Sequence, residues 1–162
     1  MGRSRGGLST KIHLLADTDC RPLARLIGPG QGGDSPAFEP LMKTLRITRD
    51  GAGRPRTRPD RVLGDKAYSS RAIRSHLRRR GIKTTIPVPA DQAGHRRNRG
   101  SRGGRPPVLQ VAAYRQRNTI ERTFRKLKAH RAFAMRTDKR LYIFAGTTDV
   151  ASIRIWLHDL TR

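Results

Sequence analysis

Charge balance constrains this chain more than any other feature. Thirty-six Lys and Arg stand against 12 Asp and Glu, a net +24 over 162 residues. Self-repulsion on that scale opposes compaction unless a polyanion offsets it. Nucleic acid is the natural counter-charge, because phosphates that meet Lys or Arg release condensed counterions. A membrane surface fits less well, since no basic amphipathic helix stands apart from the rest. Arg outnumbers Lys, a bias that a GC-rich genome also produces, so only the sign of the charge is informative. The length suits one domain. The apolar share is 35% and the aromatic share 5%. Both are low for a compact globule, so either much of the chain is solvated or its core is incomplete.

Cys20 is the single cysteine. A disulfide framework is therefore excluded, and a reducing, intracellular setting fits. No apolar run reaches the ~18 residues of a membrane span and no signal peptide opens the chain, so a cytoplasmic location is expected.

Residues 8–16 alternate in polarity and read as a strand, DTDC as a turn, and 22–27 as a second strand that completes a hairpin. After the loop GPGQGGDS, Ser35 as N-cap and Pro36 at the first helical position predict a helix over 36–46. A Gly/Pro/Arg loop fills 47–60. Residues 61–64 read as a short buried strand, 69–80 as a helix with Ile73 and Leu77 one turn apart, stopped by Gly81, and 82–88 as a strand. The basic stretch 90–107 is low in complexity and reads as disordered without DNA. A long helix is expected over about 108–130 and a last one over about 140–160, with the stripe Val150, Ile153, Trp156, Leu157, Leu160 as its buried side. Strands alternating with helices predict an α/β fold with some parallel pairing, the opening hairpin forming an antiparallel edge.

The chemistry concentrates in the expected long helix. Tyr114, Arg117, Glu121 and Lys128 follow the spacing Y-x2-R-x3-E-x6-K. At about 100° per residue the four fall within roughly 60° of one helix face. Ile120, Phe124 and Leu127 form a neighbouring apolar stripe that would dock on a sheet. Glu121 is the sole acid between Asp91 and Asp138, and it sits among Arg115, Arg117, Arg122, Arg125, Lys126, Lys128 and Arg131. A carboxylate in such a field opposes phosphate, unless a divalent cation lies between them. It is also compatible with a solvated Glu paired with Arg117 and Arg125 one turn away.

Asp65 is the second candidate. It follows the strand at 61–64, where α/β sheets build sites at the carboxyl ends of strands. A plain strand-to-helix turn would equally accept an Asp there. Two carboxylates converging beside a basic surface suit Mg²⁺, which takes one or two carboxylates together with phosphate oxygens and water.

With these residues in place, the sequence resembles bacterial insertion-sequence transposases of the DDE type. Tyr114, Arg117, Glu121 and Lys128 match every position of the signature around that family's third carboxylate. The blocks GRSRGGLSTKIHLLAD, RPLARLIGPGQGGDS, VLGDKAYSS and RTDKRLYIFAGTTDVASIRIWL are similar, in the same order, to those of the insertion-sequence-five family. The resemblance implies a ribonuclease-H-like fold and DNA cleavage and strand transfer at element ends with Mg²⁺ or Mn²⁺. It makes Asp65 the second and Glu121 the third metal-binding carboxylate. It has Arg117 and Lys128 contact phosphates near the scissile bond. Asp34 matches a recurrent family Asp without a derivable role.

The family's first Asp lies on a central strand upstream of the GRSRGGLSTKIH block. This chain starts at that block, so the strand and its Asp are expected to be missing. Asp17 and Asp19, in the first turn, are poor substitutes. A split reading frame or a decayed fragment would each produce such a chain. The isolated chain is then expected to be poorly stable, with unpaired strand edges, and catalytically inactive.

Other signals carry less. GPGQGG lacks the Lys-Ser/Thr of a phosphate loop, the five His show no metal-ligand spacing, and no Ser sits in a nucleophile elbow. Arg96, Arg97 and Arg99 in the basic stretch are candidate phosphate contacts, as are Tyr114 and Arg125. Expected partners are double-stranded DNA and either an N-terminal transposase portion or further copies of the chain. Two further readings remain: a non-catalytic DNA-binding fragment or regulator, and an unrelated basic RNA-binding protein. The latter explains the charge but not Glu121 in its signature.

Overall fold

The computed structural model describes residues 2–4, 7–138 and 140–161. The chain is mixed α/β and divides into two compact units, one made of residues up to 57 together with those from 118 on, the other of 58–117.

In the first unit, β1 (Gly2–Ser4), β2 (Gly7–Ala16) and β3 (Pro22–Pro29) form an antiparallel sheet in that order. Ile12 faces Ile27 and Leu14 faces Arg25 across β2–β3. The hairpin turn is held by Asp17, whose carboxylate accepts from the backbone N–H of Asp19 at 3.0 Å and of Arg21 at 2.8 Å. Cys20 adopts a left-handed φ of 64° there and is buried. Strand alternation sends Lys11 and His13 to one face, where α1 (Asp34–Thr44) packs through Phe38, Leu41 and Met42. Ile12 and Leu14 go to the other, which is covered by α5 (Asn118–Lys128), α6 (Arg131–Met135) and α7 (Leu141–Leu160). The core there is Leu14, Leu127, Phe133, Phe144, Ala151 and Ile155, with Ile120 and Phe124 packed against it as the α5 pattern predicts. Lys126 bonds Asp159 at 3.0 Å, tying α5 to α7 and holding that carboxyl below its usual pKa.

Two expectations for this unit are corrected. Helix α1 begins two residues before the predicted 36–46, with Gly33 rather than Ser35 at the cap and no side-chain cap bond. Lys11 fixes this earlier start, bonding Gly32 O at 2.8 Å and the Asp34 carboxylate at 3.0 Å. The larger correction concerns α7. Of the predicted stripe, only Trp156 packs, its Nε1–H donating to Pro22 O at 2.8 Å under the Arg21 guanidinium. Val150, Ile153, Leu157 and Leu160 are 61%, 56%, 56% and 70% exposed. The buried side is Phe144, Thr148, Ala151 and Ile155. Small Thr148 and Ala151 let the helix approach closely, and the Thr148 hydroxyl is satisfied by Phe144 O at 2.8 Å.

The second unit is built on a strand–helix–strand element. β4 (Arg61–Leu63) and β5 (Lys83–Thr85) pair in parallel across α2 (Arg71–Arg79), the parallel pairing that the alternating elements predict. Ser70 caps α2 by accepting from Ile73 N–H at 3.1 Å, and Gly81, at φ +64°, ends it. Ile73 and Leu77 are buried, as are Val62, Ile82 and Ile86. β5 is shorter than the predicted 82–88, because Pro87 has no N–H to extend a ladder.

Contrary to the disorder expected for 90–107, the structure carries α3 (Ala90–Asn98) and a 3-10 turn at Gly100–Gly103. Gln92 anchors α3, donating to Ser69 O at 2.8 Å and accepting from Ser69 Oγ at 3.1 Å. Arg96 Nε bonds Gly103 O at 3.2 Å. The expected long helix over 108–130 is also interrupted. α4 (Val111–Arg115) ends where the N–H groups of Gln116 and Arg117 reach back three residues instead of four, to Ala113 O and Tyr114 O at 3.1 and 2.9 Å. The next helix begins at Asn118, so Tyr114 and Arg117 belong to one unit and Glu121 and Lys128 to the other. The four residues therefore do not lie on one continuous helix.

Candidate functional site

The parallel strands position Asp65. Gly64 N–H continues the ladder to Thr85 O at 3.3 Å, and a Cβ on Gly64 would stand 3.2 Å from Ile86 Cγ1, so a larger residue here would require Ile86 to give way slightly. Asp65 then starts a 3-10 turn at Lys66–Tyr68, its Oδ1 accepting from Ala67 N–H at 3.3 Å. Its side chain is 51% exposed, and Oδ2 lies 3.9 Å from the Arg117 guanidinium. That guanidinium also sits 5.7 Å above the Tyr114 ring. Three sequence candidates, Asp65, Tyr114 and Arg117, are thereby brought together within one unit.

Sequence reading missed what supports this turn. Arg74 reaches from α2 to Ser69 Oγ at 3.0 Å, Ile86 O at 2.8 Å and Pro87 O at 3.4 Å. Burial, and secondarily Arg96, lowers its pKa from the usual arginine value. The available signal was position: of the α2 arginines, Arg74 alone follows buried Ile73 and precedes buried Leu77 by three residues, on the border of the apolar face.

In the other unit, Glu121 occupies the first turn of α5, exposed, where a carboxylate complements the helix dipole. Thr123 and Leu127 turn inward, leaving Arg125 and Lys128 exposed. Lys128 lines an open pocket with Ser9, Lys11, Phe124 and Arg136. Arg136 is oriented by its bond to Thr10 O at 2.7 Å. Asp34 is engaged by Lys11 at 3.0 Å and by His13 at 3.9 Å. Burial lowers the His13 pKa, with Asp34 opposing and Lys11 adding to the shift. Asp17 and Asp19 are each bonded by Arg21 at 2.7 Å. Arg97 and Arg99 are exposed near the end of α3, and Arg96 is partly buried. Among the described residues, no three His, Cys, Asp or Glu side chains gather as a metal cluster. No described helix is long and apolar enough to cross a membrane.

Comparison with known proteins assigns the chain to a family. The family model described as Transposase DDE domain matches residues 2–147. The chain belongs to that family. It is 29% identical over 150 residues to a transposase for insertion sequence element IS6501 from Brucella ovis, covering 93% of this chain and 99% of that protein. It is 30% identical over 160 residues to a transposase for insertion sequence element IS402 from Burkholderia cepacia, covering 99% of this chain and 67% of that protein. No solved structure matches.

Proposed function

We propose that this chain supplies Asp65 and Glu121 as two metal-binding carboxylates of a ribonuclease-H-like transposase centre that cleaves DNA and transfers strands at insertion-sequence ends. The observation that carries the reading is Asp65 itself, an exposed carboxylate at the carboxyl end of a parallel strand with the signature residue Arg117 beside it. The donor chemistry fits Mg²⁺ or Mn²⁺. Both side chains offer hard oxygen ligands at exposed positions, and Asp65 Oδ2 lies beyond hydrogen-bonding distance of Arg117. Such a cation needs one or two carboxylates, with phosphate oxygens and water completing its shell. When bound it would activate a water or 3′-hydroxyl and stabilise the leaving oxygen.

The chain's own cations do the remaining work. Arg117 and Lys128 hold phosphates near the scissile bond, Tyr114 keeps Arg117 in place, and Arg125, Arg96, Arg97 and Arg99 extend the grip along the duplex. The resemblance places the first carboxylate of the family outside the blocks found here. Cutting should therefore require that carboxylate together with Asp65 and Glu121.

The test is Mg²⁺- or Mn²⁺-dependent nicking of element-end DNA by the chain alone and fused to the polypeptide encoded upstream, with Glu121→Ala as control. Nicking by the fusion alone, lost on Glu121→Ala, supports the proposal. DNA binding without nicking in both forms would favour a non-catalytic, regulatory DNA-binding protein.

A further inference from the structure

Helix α7 is apolar on two opposite sides, and only one of them is covered. Phe144, Thr148, Ala151 and Ile155 face the sheet. At about 100° per residue the opposite side holds Ile143, Gly146, Val150, Ile153, Leu157 and Leu160. These six are spaced alternately three and four residues apart, the a and d positions of a heptad repeat running the length of the helix. The five apolar side chains among them are 42% to 70% exposed. A helix that is apolar all round is normally buried on all sides. A stripe at heptad spacing is moreover shaped for another helix, not for a flat surface.

The charge of α7 argues against DNA as the occupant. Of the chain's 36 basic residues α7 holds one, Arg154, alongside Asp149 and Asp159. This stretch lacks the cationic excess of the rest, and here a second copy could approach without the repulsion that acts elsewhere. Asp149 and Arg154 flank the stripe at the g and the following e positions, five residues apart. In a parallel pair of identical helices, g of one copy meets the following e of the other. The helix is thus self-complementary, Asp149 of each copy meeting Arg154 of the other. Arg25 holds both carboxylate oxygens of Asp149, at 2.6 and 2.5 Å, and fixes its place on that edge, so Arg154 of the other copy would join an existing ion pair. At Gly146, where an added Cβ would meet nothing within 4 Å, an open groove between α6 and α7 leaves room for a partner side chain.

From this pattern we infer that the outer face of α7 is a self-association surface on which two copies of the chain pair through parallel, in-register helices. This goes beyond the catalytic reading and stands independently of the carboxylates. Pairing would cover the apolar stripe and seat a second DNA-binding surface beside the first.

Light scattering and sedimentation of the full chain in about 0.5 M salt, where the Debye length falls below about 5 Å and screens the remaining repulsion, test it. The wild type should be a dimer. Ile153→Glu with Leu157→Glu should raise the dissociation constant at least about tenfold, as for loss of central interface contacts. Because both positions are exposed in the monomer, circular dichroism of the double variant should retain the wild-type helix content. Leu157→Cys should cross-link to its own counterpart under mild oxidation, as only a parallel pair allows, whereas the wild type, with Cys20 buried, should not. A monomeric wild type, a dimer unchanged by the double substitution, or a dimer in which Leu157→Cys fails to cross-link would overturn the inference.

Discussion

The guanidinium of Arg117 lies 3.9 Å from the carboxylate of Asp65, although 51 residues separate them in sequence and no regular element contains either one. The contact links the end of β4 to the end of α4 within one unit. At this distance an exposed pair contributes little to stability, ~0–1 kcal/mol, so its interest is functional: a cation that can hold a phosphate stands next to a carboxylate that can hold a metal. Asp65→Asn keeps the shape and the cap geometry but removes the charge. In the fused form it should lower nicking by about 10²-fold or more, while DNA affinity stays equal or rises slightly. Gel-shift and nicking assays on the same preparation separate the two effects.

Lys128 and Arg125 are assigned to phosphates, so their loss should read as salt dependence. Lys128→Ala should weaken binding to all sequences alike and reduce the slope of log affinity against log salt by about 0.9, with the same for Arg125→Ala. A variant that lost affinity for one sequence only would place that residue on a base edge.

Arg74 supports the Asp65 turn without approaching DNA in this account. Replacing it with Met removes three hydrogen bonds from a charged donor and leaves Ser69 and two carbonyls to find other partners. A loss of about 1–3 kcal/mol is expected, read as a lower denaturant midpoint.

His13 makes folding pH-dependent. Its folded-state pKa lies below the usual 6.5, chiefly through burial. The unfolded chain therefore binds this proton more readily than the folded one. Stability from this residue is complete above pH 6.5 and is lost as the pH falls through 6.5 toward the lower folded-state value. Thermal melts across pH 5 to 8 should show that decline, and His13→Gln should flatten it.

The hairpin, α2 with its Ser70 cap and Gly81 stop, and the parallel β4–β5 pair were legible in the sequence because alternation, capping and helix-stop signals there act locally and agree. The break at Gln116–Arg117 was not. Residues 111–128 hold neither Gly nor Pro, and the signature spacing suits a continuous helix, so nothing local marks the two backbone bonds that tighten the chain. The buried face of α7 departs from the sequence pattern for a different reason. Bulky Val150, Ile153 and Leu157 outweigh Thr148 and Ala151 on any hydrophobicity scale, but close approach to a sheet favours the smaller pair. Helix 90–98 is held by a long-range anchor, Gln92 on Ser69, which composition does not reveal. Of the candidate site, local context and spacing singled out Asp65 and Glu121 and the family resemblance supplied their proposed roles, whereas Arg74 emerged only from its three-dimensional contacts.

Exchanging Asp65 and Glu121 each for cysteine in the fused form and comparing metals asks whether these two side chains bind the catalytic metal. A thiolate is a poor ligand for hard Mg²⁺ and a better one for softer divalent ions. Asp65→Cys and Glu121→Cys should each be inactive with Mg²⁺ and regain measurable nicking with Mn²⁺, while the parent works with both. Either variant cutting DNA with Mg²⁺ at the parental rate would contradict the assignment of that residue as a metal ligand.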